Sequence, residues 1–263
     1  MMQKIQTLLL ERKTSEKICP KHNCHFVGFS GHAFVCPICQ QEAMRQEEKA
    51  MVDKHKRDAV TGFLKRNSLV DDEETYDVSF DSYKAETGTP EYLAKQQARR
   101  IAGAYYKDKD IKFNTLFYGF PGNGKTHLAM SILKAVNDNA NPAQKCLFIN
   151  METLFTKIKG SFNNPAKLWT EEYAIKVITD ADLVVLDDLG SESAMRDQSE
   201  ATEFIQRLLK NILNKQKRII ITTNLTNEQL NRVYNPKIVS RLLRGSKGHT
   251  VNFNNIKDKR AGL

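Results

Sequence analysis

No apolar run in this 263-residue chain approaches the roughly 20 residues that a membrane helix needs, and the longest, such as Leu183–Leu186 and Ile219–Ile221, are far shorter. No membrane partner is expected. The first residues, MMQKIQTLLLERKTSEK, lack a small-residue cleavage site and carry charges close behind a short apolar stretch, so they do not read as a secretory leader. A cytoplasmic location is the expectation. Internal repeats and low-complexity tracts are missing too, and 40% hydrophobic with 27% charged residues is not the composition of a disordered chain. Cysteine is scarce outside one segment: four of the five lie within residues 19–39, and Cys146 stands alone. In a chain without a leader, such clustering points to metal rather than to disulfides.

What the chain does have is positive charge. A formal net charge of +9 favours polyanions, whether nucleic acid, an acidic protein face or anionic lipid, and does not choose among them. The length suits one substantial domain plus a smaller appendage. Residues 15–40 are cysteine-rich and without helical periodicity. Gln40–Lys65 carries Ala43, Met44, Met51, Val52, Ala59, Phe63 and Leu64 as a loose apolar stripe, which predicts a helix. Residues 67–90 combine an acidic cluster, Asp71 to Glu74, with turn formers around Gly88 and Pro90, the composition of a linker. The expected division is therefore 1–66, 67–90 and 91–263. Beyond Pro90 a helix at about 91–106 precedes short apolar runs at Thr115–Tyr118, Cys146–Ile149, Leu183–Leu186 and Ile219–Thr222. Helical stretches near 125–138, 151–160, 170–180 and 200–215 separate them. That alternation predicts an α/β domain of about five parallel strands with helices on both faces.

Gly119-Phe120-Pro121-Gly122-Asn123-Gly124-Lys125-Thr126 matches G-x-x-x-x-G-K-[ST] and sits between an apolar run and a helical stretch, as a phosphate-binding P-loop does. Glycines let backbone N–H groups wrap the phosphates, and the following helix N-terminus adds a favourable dipole. The expected nucleotide set is Gly119, Pro121, Gly122, Asn123, Gly124, Lys125, Thr126 and His127, with Lys125 on the β- and γ-phosphates and Thr126 on magnesium. Leu183 to Asp188 reads as a buried strand ending in two carboxylates, a Walker B pattern about 57 residues beyond the P-loop. Asp187 would hold magnesium, and Asp188 would orient and deprotonate the attacking water. Ile219 to Asn224 is a further buried strand, whose Asn224 would lie near the γ-phosphate. ATP hydrolysis is the reaction these groups imply.

Cys19 and Cys24, with His22 between them, and the pair Cys36 and Cys39 flank a short loop. Zinc takes four tetrahedral sulfur or nitrogen ligands, and ligands two to four residues apart can point inward at one ion. Cys19, Cys36 and Cys39 supply three. Thiolate chemistry favours Cys24 as the fourth, with His22 as the alternative. With four ligands available to close the shell, the site reads as structural zinc.

These elements, with Ser240-Arg241-Leu242-Leu243-Arg244-Gly245 after Asn224, resemble the AAA+ ATPases of the DnaC-type helicase-loader group, phage and prophage members included, over about residues 78–260. Phe80-Asp81-Ser82-Tyr83 resembles the aromatic segment before their core, and Val251-Asn252-Phe253 with Asp258 and Arg260 their closing strand. The resemblance implies that Asn224 is a sensor and that Arg241 is an arginine finger for a neighbour's ATP. It also implies a replicative hexameric DNA helicase and single-stranded DNA as partners, self-association through the ATPase domain, and a role in initiating DNA replication. Two departures stand out: Asp188 replaces a glutamate common in AAA+ proteins, and residues beyond Arg260 leave no room for a helical lid. The alternatives are a transposase-associated ATPase of the IstB type and an ATP-binding adaptor with little turnover.

Overall fold

The computed structural model describes residues 12–29, 32–162, 164, 168–191 and 202–259, and it divides into two compact units, Met1–Asp58 and Ala59–Leu263. In the first, β1 (Arg12–Ile18) and β2 (His25–Phe29) pair antiparallel, with Lys13 opposite Gly28 and Ile18 opposite His25. The turn between them is closed by Cys19 N–H donating to the Cys24 carbonyl at 2.8 Å and by Asn23, which takes a left-handed φ of 48°. Helix α1 (Pro37–Thr61) follows. The expected stripe on it is not a buried face: Met44, Met51 and Val52 are about half exposed or more. The helix ends at Thr61, before the last two residues of the stripe, and Phe63 begins a separate short helix, α2 (Phe63–Asn67).

The second unit opens with residues that were expected to be a linker and are instead part of its packing. Leu64 and Leu69 are buried, and the Leu69 backbone pairs with β4 (Cys146–Asn150) on both sides, donating to the Phe148 carbonyl and accepting from Asn150 N–H, each at 2.8 Å. Asp72 caps a 3-10 turn over Glu73–Tyr76, so the exposed acidic cluster is locally ordered. Burying a leucine side chain contributes about 1.5–3 kcal/mol, enough to offset the ordering of only a few residues. The backbone pairing and the buried Tyr83 supply the rest.

Helix α3 (Pro90–Lys107) starts where Thr89 accepts from Tyr92 N–H and Pro90 takes the first turn, where its missing N–H costs nothing. After it come β3 (Thr115–Tyr118), α4 (Lys125–Asn139), β4, α5 (Met151–Ser161), α6 (Glu171–Asp180) and β5 (Leu183–Asp187). Helix α7 (Glu203–Lys215), β6 (Ile219–Thr223), α8 (Asn227–Val233), α9 (Pro236–Leu242) and β7 (Thr250–Asn252) complete the unit. The start of the expected helix at 200–201 lies outside the described residues. All five strands are parallel, in the order β4-β5-β6-β3-β7. Period-two alternation sends neighbouring side chains to opposite faces. Leu147, Ile149, Val184, Leu186, Ile219 and Ile221 enter one core, while Phe148, Leu183, Val185 and Ile220 enter the other. Burial on both faces is why these strands read as unbroken apolar runs. Every strand therefore ends on the same edge of the sheet, and that edge carries the site. Among the described residues no helix is long and apolar enough to cross a membrane.

Candidate functional site

The P-loop follows β3 and bends through three glycines of positive φ, Gly119, Gly122 and Gly124. All three also admit close neighbours: a Cβ at Gly119 would strike the Phe253 backbone, one at Gly122 the Asp258 carboxylate and one at Gly124 the Tyr83 ring. Pro121, Gly122, Asn123, Gly124, Lys125, Thr126 and His127 line a cavity of about 360 Å³ together with Asp187, Asp188 and Asn224. Gly119 is not on its lining. The Asn123 side chain turns away to donate to the Phe253 carbonyl at 2.6 Å, which leaves its backbone to face a ligand. His127 Nε2 lies 2.9 Å from the Ser79 carbonyl and 3.2 Å from Ser82 Oγ, so the ring is held by the segment before α3. The Lys125 ammonium donates to the carbonyls of Gly119 and Phe120 at 2.7 and 2.6 Å.

Asp187 ends β5 almost wholly buried, and its Oδ1 accepts from Thr126 Oγ1 at 2.9 Å and from Thr222 Oγ1 at 2.7 Å. Thr222 also accepts from Asp188 N–H at 2.9 Å, so one hydroxyl on β6 engages the Asp187 carboxylate and the Asp188 backbone. Asp188 takes a left-handed φ of 55°, and its Oδ1 accepts from Asn224 Nδ2 at 3.1 Å. Burial raises the Asp188 pKa, opposed by the Lys125 charge. This set offers a cation and backbone amides for phosphates, a hydroxyl with a carboxylate for magnesium, and a carboxylate–amide pair for a water. Arg241 is placed elsewhere, in a groove of about 470 Å³ with Arg207, Lys210 and Lys237.

The first unit gathers a different set. Cys19, His22, Cys36 and Cys39 have one donor atom each within 4.8 Å of the others. His22 Nδ1 stands 3.8 Å from Cys19 Sγ, 3.5 Å from Cys36 Sγ and 3.3 Å from Cys39 Sγ, and Cys19 and Cys39 Sγ are 3.8 Å apart. Tetrahedral zinc with bonds of about 2.3 Å to sulfur and 2.0 Å to nitrogen has edges of roughly 3.5–3.8 Å, so these donors fit the ion. Cys24 Sγ is 3.4 Å from Cys36 Sγ but is not in the group of four. His22, expected as the alternative to Cys24, completes this group of four, while Cys24 lies beside Cys36. Glu42 Oε1 lies 3.2 Å from His22 Nε2, the carboxylate–histidine arrangement that fixes a metal-binding imidazole. Glu42 escaped sequence reasoning, although it sits one helical turn beyond Cys39.

A family profile for the bacterial DnaA ATPase domain matches residues 75–248. The chain belongs to that family. Solved structures agree on the fold. A DnaC helicase loader superposes with a TM-score of 0.54 at 20% identity, over 71% of this chain and 100% of that one. A DnaI structure gives 0.52 at 18%, over 71% and 96%. AMPPCP-bound DnaA from Aquifex aeolicus gives 0.50 at 17%, over 69% and 50%. No curated protein matches the chain in sequence. The second unit is thus a P-loop AAA+ ATPase-family domain, and its match begins at residue 75, inside the segment that composition alone marked as linker.

Five residues that line the cavity were not expected there: Asp71, Tyr83, Asn150, Thr222 and Lys259. For Tyr83 and Lys259 the only sequence signal was the likeness of residues 80–83 and of Asp258 with Arg260 to family segments, and Arg260 lies outside the described residues.

Burial pushes the Asp187 carboxyl up from 3.8 to about 6, with hydrogen bonds from Thr222 and Thr126 opposing it. A raised acid pKa means the folded chain keeps a proton that the unfolded chain has lost. Stability of the ligand-free protein therefore falls as pH rises from about 4 to 6, and above that the cost of the buried charge is complete, roughly 3 kcal/mol for a two-unit shift. Asp187→Asn keeps an acceptor for both threonines and removes that cost. The ligand-free variant should melt several degrees above wild type at pH 7–8, with the gap closing toward pH 4, while magnesium-dependent ATP binding weakens. Thermal melts across pH check this, and a variant less stable than wild type above pH 6 would contradict it.

Proposed function

We propose that the protein is an ATP-dependent helicase loader of the DnaC type, acting when DNA replication initiates. One observation carries the ATPase reading: a single cavity at the carboxyl ends of β3, β5 and β6 gathers Lys125, Thr126, Asp187, Asp188 and Asn224. In this reading Lys125 and the P-loop amides hold the β- and γ-phosphates of ATP, and Thr126 with Asp187 holds magnesium. Bound magnesium neutralises charge on the phosphates. Asp188, steadied by Asn224, orients and deprotonates the water that attacks the γ-phosphate. Arg241 of a neighbouring copy offsets charge on the transferred group. Asp188 is a short acid already engaged by Asn224, which favours slow turnover that DNA or a partner accelerates, and it keeps the adaptor reading as the second one. The family match and the fold shared with a DnaC helicase loader support the reading. The first unit, with structural zinc on Cys19, His22, Cys36 and Cys39, is assigned to the replicative helicase, and the basic ATPase unit to single-stranded DNA.

The test uses the full chain with a purified hexameric bacterial replicative helicase. Wild type should carry about one zinc, retain the helicase in gel filtration, and place it on circular single-stranded DNA when ATP is present. Cys36→Ser and His22→Ala should lose the zinc and the helicase while still binding nucleotide, because structural zinc contributes directly to folding of so small a unit. Cys24→Ser should keep the zinc. Protein purified without chelators that contains no zinc would refute the metal assignment, and zinc-loaded protein that binds neither helicase nor single-stranded DNA would refute the loader.

A further inference from the structure

The chain after β7 does not leave the ATPase unit but runs back along the P-loop. Phe253 N–H donates to the Tyr118 carbonyl at 2.8 Å, Ile256 is buried, and Lys259 N–H donates to the Gly122 carbonyl at 3.1 Å. Lys259 is thus fixed at its backbone to the loop that would wrap the phosphates. Its ammonium donates to the Lys84 carbonyl at 2.9 Å and stands 3.4 Å from the centre of the Tyr83 ring, a cation–π contact. Tyr83 in turn packs on Gly124, where an added Cβ would meet its Cε2 atom. Lys259 and Tyr83 both line the nucleotide cavity.

Two features of this clasp point to a ligand. An ammonium has three donors, and Lys84 and the Tyr83 ring occupy two, which leaves one for a group in the cavity that Lys259 lines. The Tyr83 hydroxyl is buried without a hydrogen-bond partner among the described residues, and Tyr83 is only 2% exposed. Native proteins seldom leave such a group unsatisfied unless something else reaches it. Electrostatics agree, since the cavity sets three carboxylates, Asp71, Asp187 and Asp188, against the ammonium groups of Lys125 and Lys259. A polyanion entering beside three acids gains from each cation at the wall.

We infer that Lys259 is a nucleotide-binding residue, a second cation that the chain beyond β7 brings to the P-loop for the phosphate chain of a nucleoside di- or triphosphate. The inference rests on the nucleotide reading of the cavity and adds to it a ligand that lies outside the P-loop and the Walker B strand. The Tyr83 ring holds the ammonium in place, and the Lys84 carbonyl fixes its direction.

Calorimetric titration of the full chain with ATP and with ADP tests it, using Lys259→Ala, Lys259→Met and Lys259→Arg. Loss of a charge-assisted hydrogen bond to phosphate should weaken Ala and Met by about tenfold or more. Arg, which keeps the charge, should stay within about threefold of wild type. Melting of the ligand-free proteins separates this from a packing role, because Met retains the stem over Tyr83 and should melt like wild type while still losing affinity. An Ala variant that binds within twofold of wild type overturns the inference, as does a Met variant that restores affinity. Wild type that binds nucleotide alongside unaffected variants removes this inference alone. Wild type that binds none removes the nucleotide reading and this inference with it.

Discussion

Lys125→Ala is expected to abolish measurable ATP binding, with the dissociation constant rising at least about a hundredfold while the melting temperature moves by only a few degrees. Lys125 is nearly buried, and its ammonium lies against the carbonyls of Gly119 and Phe120 at the mouth of α4. Hydrogen bonds from a charged donor contribute roughly 1.5–3 kcal/mol each, and one ammonium can serve two phosphate groups. Removing it also unbalances the cavity, because Asp71, Asp187 and Asp188 would then face the triphosphate with Lys259 as the remaining ammonium on the lining. The carbonyls it vacates belong to a loop that the Phe253 to Lys259 stretch still braces, so the fold should survive. Isothermal calorimetry and thermal melts provide both readouts. ATP affinity unchanged in a folded Lys125→Ala protein would overturn the P-loop assignment.

The parts of this site that could be read from the sequence are those fixed by neighbours along the chain. A parallel strand buried on both faces is an apolar run, and the run must end in polar residues where it reaches the ligand edge. Hence Thr115–Tyr118 pointed to Gly119, Leu183–Leu186 to Asp187 and Asp188, and Ile219–Thr222 to Asn224. The P-loop is a local pattern for the same reason. What stayed hidden depends on approach between distant segments. Asp71 and Tyr83 arrive because residues 68–70 lie along β4 and Tyr83 seats on Gly124, and neither fact leaves a periodic trace in an acidic, turn-rich stretch. Thr222 looks like one more β-branched strand residue, yet its hydroxyl holds the Asp187 carboxylate and the Asp188 backbone N–H. His22 and Cys24 have similar spacing from Cys19, so only the direction of each side chain in the turn separates them.

Arg241→Ala should bind ATP like wild type and hydrolyse it on the order of a thousandfold more slowly. The arginine stands near the end of α9, where Asn114 Nδ2 donates to the carbonyls of Arg241 and Leu242 at 2.9 and 3.0 Å and Asn114 Oδ1 accepts from Ile219 N–H at 3.1 Å. One buried amide thus ties the helix end to β6, which holds the Arg241 backbone still relative to the sheet. Its guanidinium reaches the Lys237 carbonyl only at 3.4 Å and is partly exposed, so truncation should cost the fold little. It lines a groove with Arg207, Lys210 and Lys237, and it is not on the wall of its own nucleotide cavity. A cationic groove apart from the chain's own P-loop suits the triphosphate of a second copy. Hydrolysis should therefore rise with protein concentration, or on single-stranded DNA that aligns neighbouring copies. Mixing decides the matter: in a mixed assembly of Arg241→Ala with Lys125→Ala, an intact P-loop of one chain can meet an intact arginine of the other. Activity should then reappear above either mutant alone. Mixed oligomers that remain as inactive as the separate mutants, or dilute monomer that hydrolyses ATP as fast as the assembly, would show that Arg241 does not act between subunits.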